Sequence, residues 1–317
     1  MPIPEPSSVS VIIPTKSRAA ELEAAVRSVL LQDHLPFELL IIDQSSEDAS
    51  RQSVERAYTE APSSARTAVK LTYITDPTIS GGAAARNRAM DTASGDVWLF
   101  LDDDVVLEAD FIKELLSVYA QYPGIAGASG VITNYKPYPW PFRLWDTIFV
   151  RGPFADDRQT MYQKAGHMRH VKPVRVDRLG GGLMSFRAEA IRGLRFDGNL
   201  RGVSDGEDVD FCARLGSQAI LMITPRARLV HNHSPAGRER DHWLRRVSRS
   251  QHYLYRRNWN HGSINRISFL WLNTGYALIA TLASVRRLSW EPWRALRAGI
   301  RDAKAIPTTA GTKSSGA

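Results

Sequence analysis

The segment GDVWLFLDDDVVL, residues 95 to 107, decides the fold: an unbroken apolar run ends on three consecutive carboxylates, Asp102, Asp103 and Asp104. VWLFLD, 97 to 102, has the length of a strand and no polar face, which predicts a strand covered on both sides. Adjacent carboxylates repel one another at neutral pH, so they take up protons or bind a cation. Closely placed hard oxygens suit Mg²⁺ or Mn²⁺, ions that keep positions open for phosphate oxygens. The plain alternative is a solvated acidic loop.

Outward from this strand the chain alternates. VSVIIPT, 9 to 15, is a β-branched apolar run ended by proline and predicts a first buried strand; FELLIID, 37 to 43, predicts a second and KLTYITD, 70 to 76, a third. Between the first two, Leu22, Ala25, Val26, Val29 and Leu30 recur at helical spacing on one face. A polar helix is predicted from about Glu47, and GGAAARNRAMDTA, 81 to 93, is a helix entered through two glycines. Such alternation implies parallel strands with crossover helices on the faces, an α/β nucleotide-binding (Rossmann-like) sheet. Ligands of these sheets bind beyond the carboxyl ends of the strands. Pro14, Thr15, Arg18, Asp43, Asp76 and the three aspartates all fall at that edge. Singly, each is an ordinary turn or capping residue; their convergence favours a site.

These motifs, in order, resemble the inverting glycosyltransferases of family 2, with the GT-A fold, over about residues 8 to 233. VSVIIPTKSR resembles the opening strand and nucleotide loop, IIDQSSED the second strand with a base-contacting aspartate, GGAAARNRAM the G-x-x-x-ARN helix and FLDDDV the D-x-D motif. GGGLMSFRAEA is similar to the acceptor-side glycine turn, and GEDVDFCARLG to the segment that carries the catalytic carboxylate. The resemblance implies that Pro14, Thr15, Arg18 and Asp43 cradle the nucleoside, with Arg86 and Asn87 near the nucleotide. Asp102 then contacts ribose or the metal's water shell, Asp104 ligates the metal, and Asp103 suits either role. An arginine at position 86 equally suits a structural ion pair.

An inverting transfer needs a carboxylate on the face opposite the departing nucleotide, to take the proton of the acceptor hydroxyl. Asp208 is the expected base, with Glu207 beside it on acceptor or sugar hydroxyls. The competing reading is that Asp205, Glu207 and Asp208 simply favour the start of a helix running through Phe211, Cys212 and Leu215. In HNHSP, 231 to 235, His231 follows an apolar strand and is the expected third contact to metal or diphosphate, ahead of His233. Gly181 and Gly182 offer close backbone approach on the acceptor side, or a plain turn. The aromatic stretch NYKPYPWPFRLWDTIF, 134 to 149, contains Trp140 and Trp145, which suit a sugar face or a membrane interface. Packing against the C-terminal region is the other explanation.

Composition sets the frame for the rest. The chain has 317 residues, 43% hydrophobic and 23% charged, the profile of a folded protein, and its one cysteine, Cys212, excludes an internal disulfide. No basic segment precedes an apolar one at the N-terminus, so a cytoplasmic location is expected. The net charge of +8 is uneven. Residues 236 to 317 hold 15 Lys and Arg against 4 Asp and Glu, leaving 26 of the 41 basic and 29 of the 33 acidic residues for the body. We therefore read residues 1–235 as the catalytic domain and 236–317 as a basic, partly apolar helical extension with a disordered end.

ISFLWLNTGYALIATLASV, 267 to 285, is uncharged and long enough to span a bilayer, but its polar residues favour a helix lying on the inner membrane surface. The expected partners are a UDP- or dTDP-sugar donor, a glycan or polyprenyl-linked acceptor and that membrane surface, with no nucleic acid. Two other classes stay open at this level. One is a nucleic-acid or membrane-binding module on an inactive scaffold; the other is a nucleotidyltransferase, which would open with a glycine-rich phosphate loop that VSVIIPTKSRAAELE lacks.

Overall fold

The computed structural model describes residues 6, 8–36, 38–156, 172–200, 206–216, 218–233 and 243–308. Its first half runs β1 (Val9–Thr15), α1 (Ala19–Leu30), β2 (Glu38–Asp43), α2 (Ala49–Glu60), α3 (Ser63–Ala68), β3 (Lys70–Thr75), α4 (Gly82–Met90), β4 (Val97–Leu101), β5 (Val105–Leu107) and α5 (Phe111–Gln121). β6 (Gly127–Ile132) follows, then α6 (Trp140–Trp145), which continues as a π-helical turn, Asp146–Arg151. Beyond it lie β7 (Val174–Val176), β8 (Leu183–Arg187), α7 (Glu207–Arg214) and β9 (Leu221–His231). Helices α8 (Trp243–Asn258), α9 (Ser263–Arg287) and α10 (Glu291–Ala305) close the chain. Phe37 and Asp205, both read from the sequence, lie outside the described residues.

Among the described residues one sheet has the order β3-β2-β1-β4-β8-β6-β9-β5, with β7 beside β9. Strands β3, β2, β1 and β4 are parallel, as the alternation predicts. Past β4 the sheet is mixed: β8 is antiparallel to β4 and to β6, and β5 is antiparallel to β9. The expectation of parallel strands thus holds for half the sheet. Only there does each strand lead to the next through a crossover helix.

One connection makes the sheet curl. β4 and β5 are joined by Asp102, Asp103 and Asp104 alone, yet three strands lie between them in the order. Four strand spacings measure about 19 Å in a flat sheet, whereas the four residue steps from Leu101 to Val105 reach about 14 Å at most. A flat sheet cannot satisfy both. The far edge therefore bends back over the end of β4, and the aspartates sit inside the bend.

Both faces of the sheet are covered. Val9, Val11, Ile13, Leu39, Ile41, Leu99 and Leu101 pack on one side with α1 and α5, and Leu22, Ala25, Val26, Val29 and Leu30 are the buried face of α1, as their spacing predicts. The alternate positions Ile12, Leu40, Ile42 and Phe100 pack on the other with Ala85 and Ala89 of α4 and Phe211 and Cys212 of α7. Period-two alternation buried on both sides is why these strands show no polar face. Burial pushes the Cys212 thiol up to about 12, so it is inert.

The C-terminal helices are not loosely attached. Arg257 of α8 lies 2.7 Å from Oδ1 of the fully buried Asp210 in α7 and 3.3 Å from Asp197. Tyr253 also donates to Asp197. Helices α9 and α10 form a further apolar cluster with Trp145 and Leu244.

Candidate active site

Parallel pairing of β1 with β4 brings the residues after both strands to one edge. Thr15 Oγ1 donates to Asp103 Oδ2 at 2.8 Å, and Arg18 Nη1 lies 2.8 Å from Asp103 Oδ1 and 3.7 Å from Asp104 Oδ2. Pro14 is buried within β1 opposite Ile42. Ser17, between them, takes a left-handed backbone (φ 53), and its N–H donates to Ser45 Oγ at 2.7 Å. Burial pushes Asp103 up to about 6, against the pull of Arg18 and the Thr15 hydroxyl.

Asp103 thus faces Thr15 and Arg18 after β1, and the outer two carboxylates gather elsewhere, Asp104 keeping one oxygen toward Arg18. Ligand atoms of Asp102, Asp104 and His231 all lie within 4.8 Å of one another. Strand register explains the histidine: β5 pairs with β9 so that Val105 faces His231, the last residue of β9. Asn134 brackets the His231 backbone, accepting from its N–H and donating to its carbonyl, both at 3.0 Å. His231 Nε2 is buried, lies 2.9 Å from Asp104 Oδ1 and makes no hydrogen bond among the described residues. A buried imidazole nitrogen beside two carboxylates is a donor set that fits a divalent cation. The His233 ring stacks on His231 at 3.9 Å rather than joining the cluster.

Arg86, 3% exposed on α4, joins this cluster to the opposite wall. Its Nη2 lies 3.1 Å from Asp102 Oδ1 and donates to the Gly181 carbonyl at 2.9 Å, while Nη1 lies 3.1 Å from Glu207 Oε1. Arg86 is thus ion-paired with both walls. Its neighbour Asn87 turns away and clasps the backbone of Phe196.

The opposite wall begins at Gly206, whose left-handed backbone (φ 86) suits glycine alone and turns the chain into α7. Glu207 and Asp208 open that helix. Gly181 N–H donates to Asp208 Oδ2 at 3.1 Å, and Val209 N–H to Oδ1 at 2.9 Å. Burial, then the neighbouring Asp208, pushes Glu207 up to about 7, with Arg86 pulling the other way. Its Oε2 is buried without a hydrogen bond among the described residues.

Two adjacent glycines fit between these walls. A Cβ on Gly182 would lie 2.5 Å from Asp102 Oδ2, and one on Gly181 would lie 3.2 Å from Glu207 Oε1. The glycine turn read from the sequence as acceptor-side therefore touches the aspartate cluster as well.

The remaining sequence candidates are placed as follows. Asp43 is 1% exposed, with Oδ1 accepting from Ser45 N and Oγ and Oδ2 from Tyr73 at 2.6 Å. Asp76 accepts from Thr78 in a turn. Trp140 stands 73% exposed at the start of α6. Sequence reasoning missed Tyr73, Asn134 and Gln44; the last accepts from Gly81 N–H at 2.8 Å and so links the start of α4 to the end of β2. All three act through contacts distant in sequence, which no local motif marks.

Comparison with known proteins agrees with this geometry. Residues 10–195, more than half the chain, match the family description "Glycosyl transferase family 2". The chain is 33% identical over 117 residues to an uncharacterized glycosyltransferase of Haemophilus influenzae, covering 37% of this chain and 36% of that protein. It is 32% identical over 110 residues to the Escherichia coli UDP-Glc:alpha-D-GlcNAc-diphosphoundecaprenol beta-1,3-glucosyltransferase WfgD, covering 35% of this chain and 40% of the relative. These matches span only about two fifths of either relative. The mannosyltransferase PcManGT of Pyrobaculum calidifontis, solved with GDP-Man and Mn2+, shares the fold with a TM-score of 0.56 at 17% identity, over 96% of this chain and 87% of that one. The readings as an inactive scaffold or a nucleotidyltransferase give way to these findings. With its GT-A sheet and its family match over residues 10–195, this chain belongs to glycosyltransferase family 2.

Proposed function

We propose that this protein is an inverting, divalent-metal-dependent glycosyltransferase that moves a hexosyl or deoxyhexosyl group from a UDP- or dTDP-sugar to a hydroxyl of a polyprenyl-linked glycan, at the cytoplasmic face of the cell membrane, in polysaccharide synthesis. The observation that carries it is the joining, through Arg86 and the Gly181–Gly182 pair, of a cluster suited to a cation with a carboxylate pair on the opposite wall. A transfer with inversion needs those two functions on opposite sides of one sugar.

Asp102, Asp104 and His231 are the residues that would hold the ion, and an imidazole in the set favours Mn²⁺ over Mg²⁺. A bound divalent cation neutralises the charge that develops on the departing diphosphate. Arg18 lies at the same edge and adds a fixed positive charge toward those phosphates. Thr15, Pro14 and Asp43, with Ser45 and Tyr73, wall the nucleoside side.

Asp208 is the proposed base. It accepts the proton of the acceptor hydroxyl as that oxygen bonds to the anomeric carbon, while the bond from that carbon to the diphosphate breaks. The Gly181 N–H holds its Oδ2 in place for this task. Glu207, fixed by Arg86, orients acceptor or sugar hydroxyls, and Trp140 is at the acceptor side. A lipid-linked acceptor accords with the basic C-terminal helices and with the diphosphoundecaprenol-linked acceptor named for the WfgD relative.

The test is a panel of UDP- and dTDP-sugars offered with Mn²⁺ or Mg²⁺ and a polyprenyl-diphosphate-linked sugar, with the product anomer assigned by NMR. The proposal expects inverted configuration, turnover abolished by chelator, and a loss of at least about 10²-fold in kcat for Asp208→Asn. A product of retained configuration contradicts the mechanism.

A further inference from the structure

Helix α9 has two unlike faces. Phe269, Leu272, Tyr276 and Ala280 are buried against Trp145, Leu244 and Leu296. On the other side Ile267, Leu270, Leu278, Leu282 and Val285 stand exposed along one helical face, at intervals of three, eight, four and three residues, with Leu270 67% and Val285 69% accessible. Thr274 and Thr281 complete that face, and each hydroxyl is returned to the helix, to the carbonyls of Leu270 and Ala277. From 267 to 285 the face carries no charge and runs about 28 Å.

Trp271 widens it. Its indole N–H donates to the Ile148 carbonyl at 2.8 Å, which sets the exposed Leu144 and Ile148 alongside. A contiguous apolar face of this size on a soluble surface calls for something to cover it.

Charge selects the occupant. Residues 243–308 carry 12 Lys and Arg against Glu291 and Asp302 alone, and the exposed Arg266 and Arg286 bracket the apolar face at its two ends. An apolar strip with arginines at its ends and exposed tryptophans beside it matches the boundary between headgroups and acyl chains of an anionic bilayer. A second copy of the chain would bring this basic surface against its like.

The same helix is long and apolar enough to cross a membrane, but its packed face decides against spanning. Trp145 Nε1 donates to the Gly275 carbonyl at 3.1 Å, His252 Nε2 lies 2.9 Å from Asn273 Oδ1, and Ser268 bonds Asp156. A Cβ on Gly275 would lie 2.5 Å from Phe149, so helix and π-helical turn are in closest contact there. Crossing the bilayer would break these ties or carry them into hydrocarbon; lying flat breaks none.

We infer that α9 is an in-plane membrane anchor whose Ile267–Val285 face, flanked by Arg266 and Arg286, seats the enzyme on an anionic lipid surface. The inference rests on the membrane-bound acceptor proposed above and assigns the surface that brings the active site to it.

The test uses the full chain and vesicles of phosphatidylcholine with and without phosphatidylglycerol, read by co-sedimentation. Binding is expected only with phosphatidylglycerol and weakens as salt rises. The double variant Leu278→Glu with Leu282→Glu, both exposed, is expected to bind at least about tenfold more weakly. Its circular dichroism and its hydrolysis of donor without acceptor should be unchanged. Tryptophan quenching by lipids brominated near the headgroup should exceed quenching by lipids brominated at the chain end. Equal vesicle binding by parent and variant overturns the inference, as does strongest quenching from the chain ends. A dimer in vesicle-free solution that the double variant dissociates also overturns it. A chain that binds vesicles yet transfers no sugar sinks the enzymatic proposal and leaves this face standing; one that transfers sugar to a soluble acceptor but ignores vesicles does the reverse.

Discussion

Gly182 shows how much of the site hangs on single atoms. Its α-hydrogen is all that separates the glycine turn from Asp102, so Gly182→Ala must displace a carboxylate of the proposed cation cluster. A displacement of about 1 Å in a positioned group costs about 10²-fold in rate, and turnover of a soluble acceptor analogue by the folded variant measures it. Glu207 gives a second residue-scale prediction. Burial raises its carboxyl on folding, so the folded state binds its proton more tightly than the unfolded chain does. That contribution is fully present below the ordinary carboxylate range and is lost as pH rises through about 7. Relative to the parent, Glu207→Gln should therefore gain stability between pH 5 and 8, on the order of 2 kcal/mol, in chelator-treated protein followed by urea unfolding. A flat difference across that range contradicts the assigned environment.

Among elements, the parallel half of the sheet was legible because each strand is short and followed by an edge residue, although β3, read from the sequence as a third buried strand, is a half-buried strand at the edge of the sheet. β1, β2, β3 and β4, and the buried face of α1, fall where periodicity puts them. The mixed half was not. Gly127–Ile132, GASGVI, is built of small residues packed under Phe186 and Leu221, and weak apolar character hides it from any pattern. Nor does a local signal show that Asp102–Asp104 bridges two strands placed four apart in the sheet; only the chain's reach requires it. Asp43 was legible as an edge residue, but its partners Ser45 and Tyr73 were not, because β2–β3 pairing brings the tyrosine there. Helix α8 carries the prediction at this scale. Its Arg257 faces the fully buried Asp210, two residues past Asp208. Arg257→Leu should cost up to about 3 kcal/mol, the low end for a broken buried pair because Arg214 still reaches Asp210 at 2.7 Å. Thermal unfolding checks this, and loss of fold on truncation before residue 243 is expected for the same reason.

At the scale of the molecule, the parts answer one physical requirement: a curled sheet gathers like charges into a bend and supplies the cations that make that gathering tolerable. Arg18 faces Asp103 and Asp104, and Arg86 faces Asp102 and Glu207. The charge of the chain is uneven as well, with residues 1–235 near neutral and the basic excess in residues 236–317. The most direct measurement is calorimetric titration of a UDP- or dTDP-sugar into the parent, Asp104→Ala and Asp208→Asn, each with Mn²⁺ and with chelator. Our account predicts Mn²⁺-dependent binding to the parent, at least about tenfold weaker binding to Asp104→Ala, and parent-like binding without turnover in Asp208→Asn. Equal donor binding by the parent and Asp104→Ala in Mn²⁺ contradicts it.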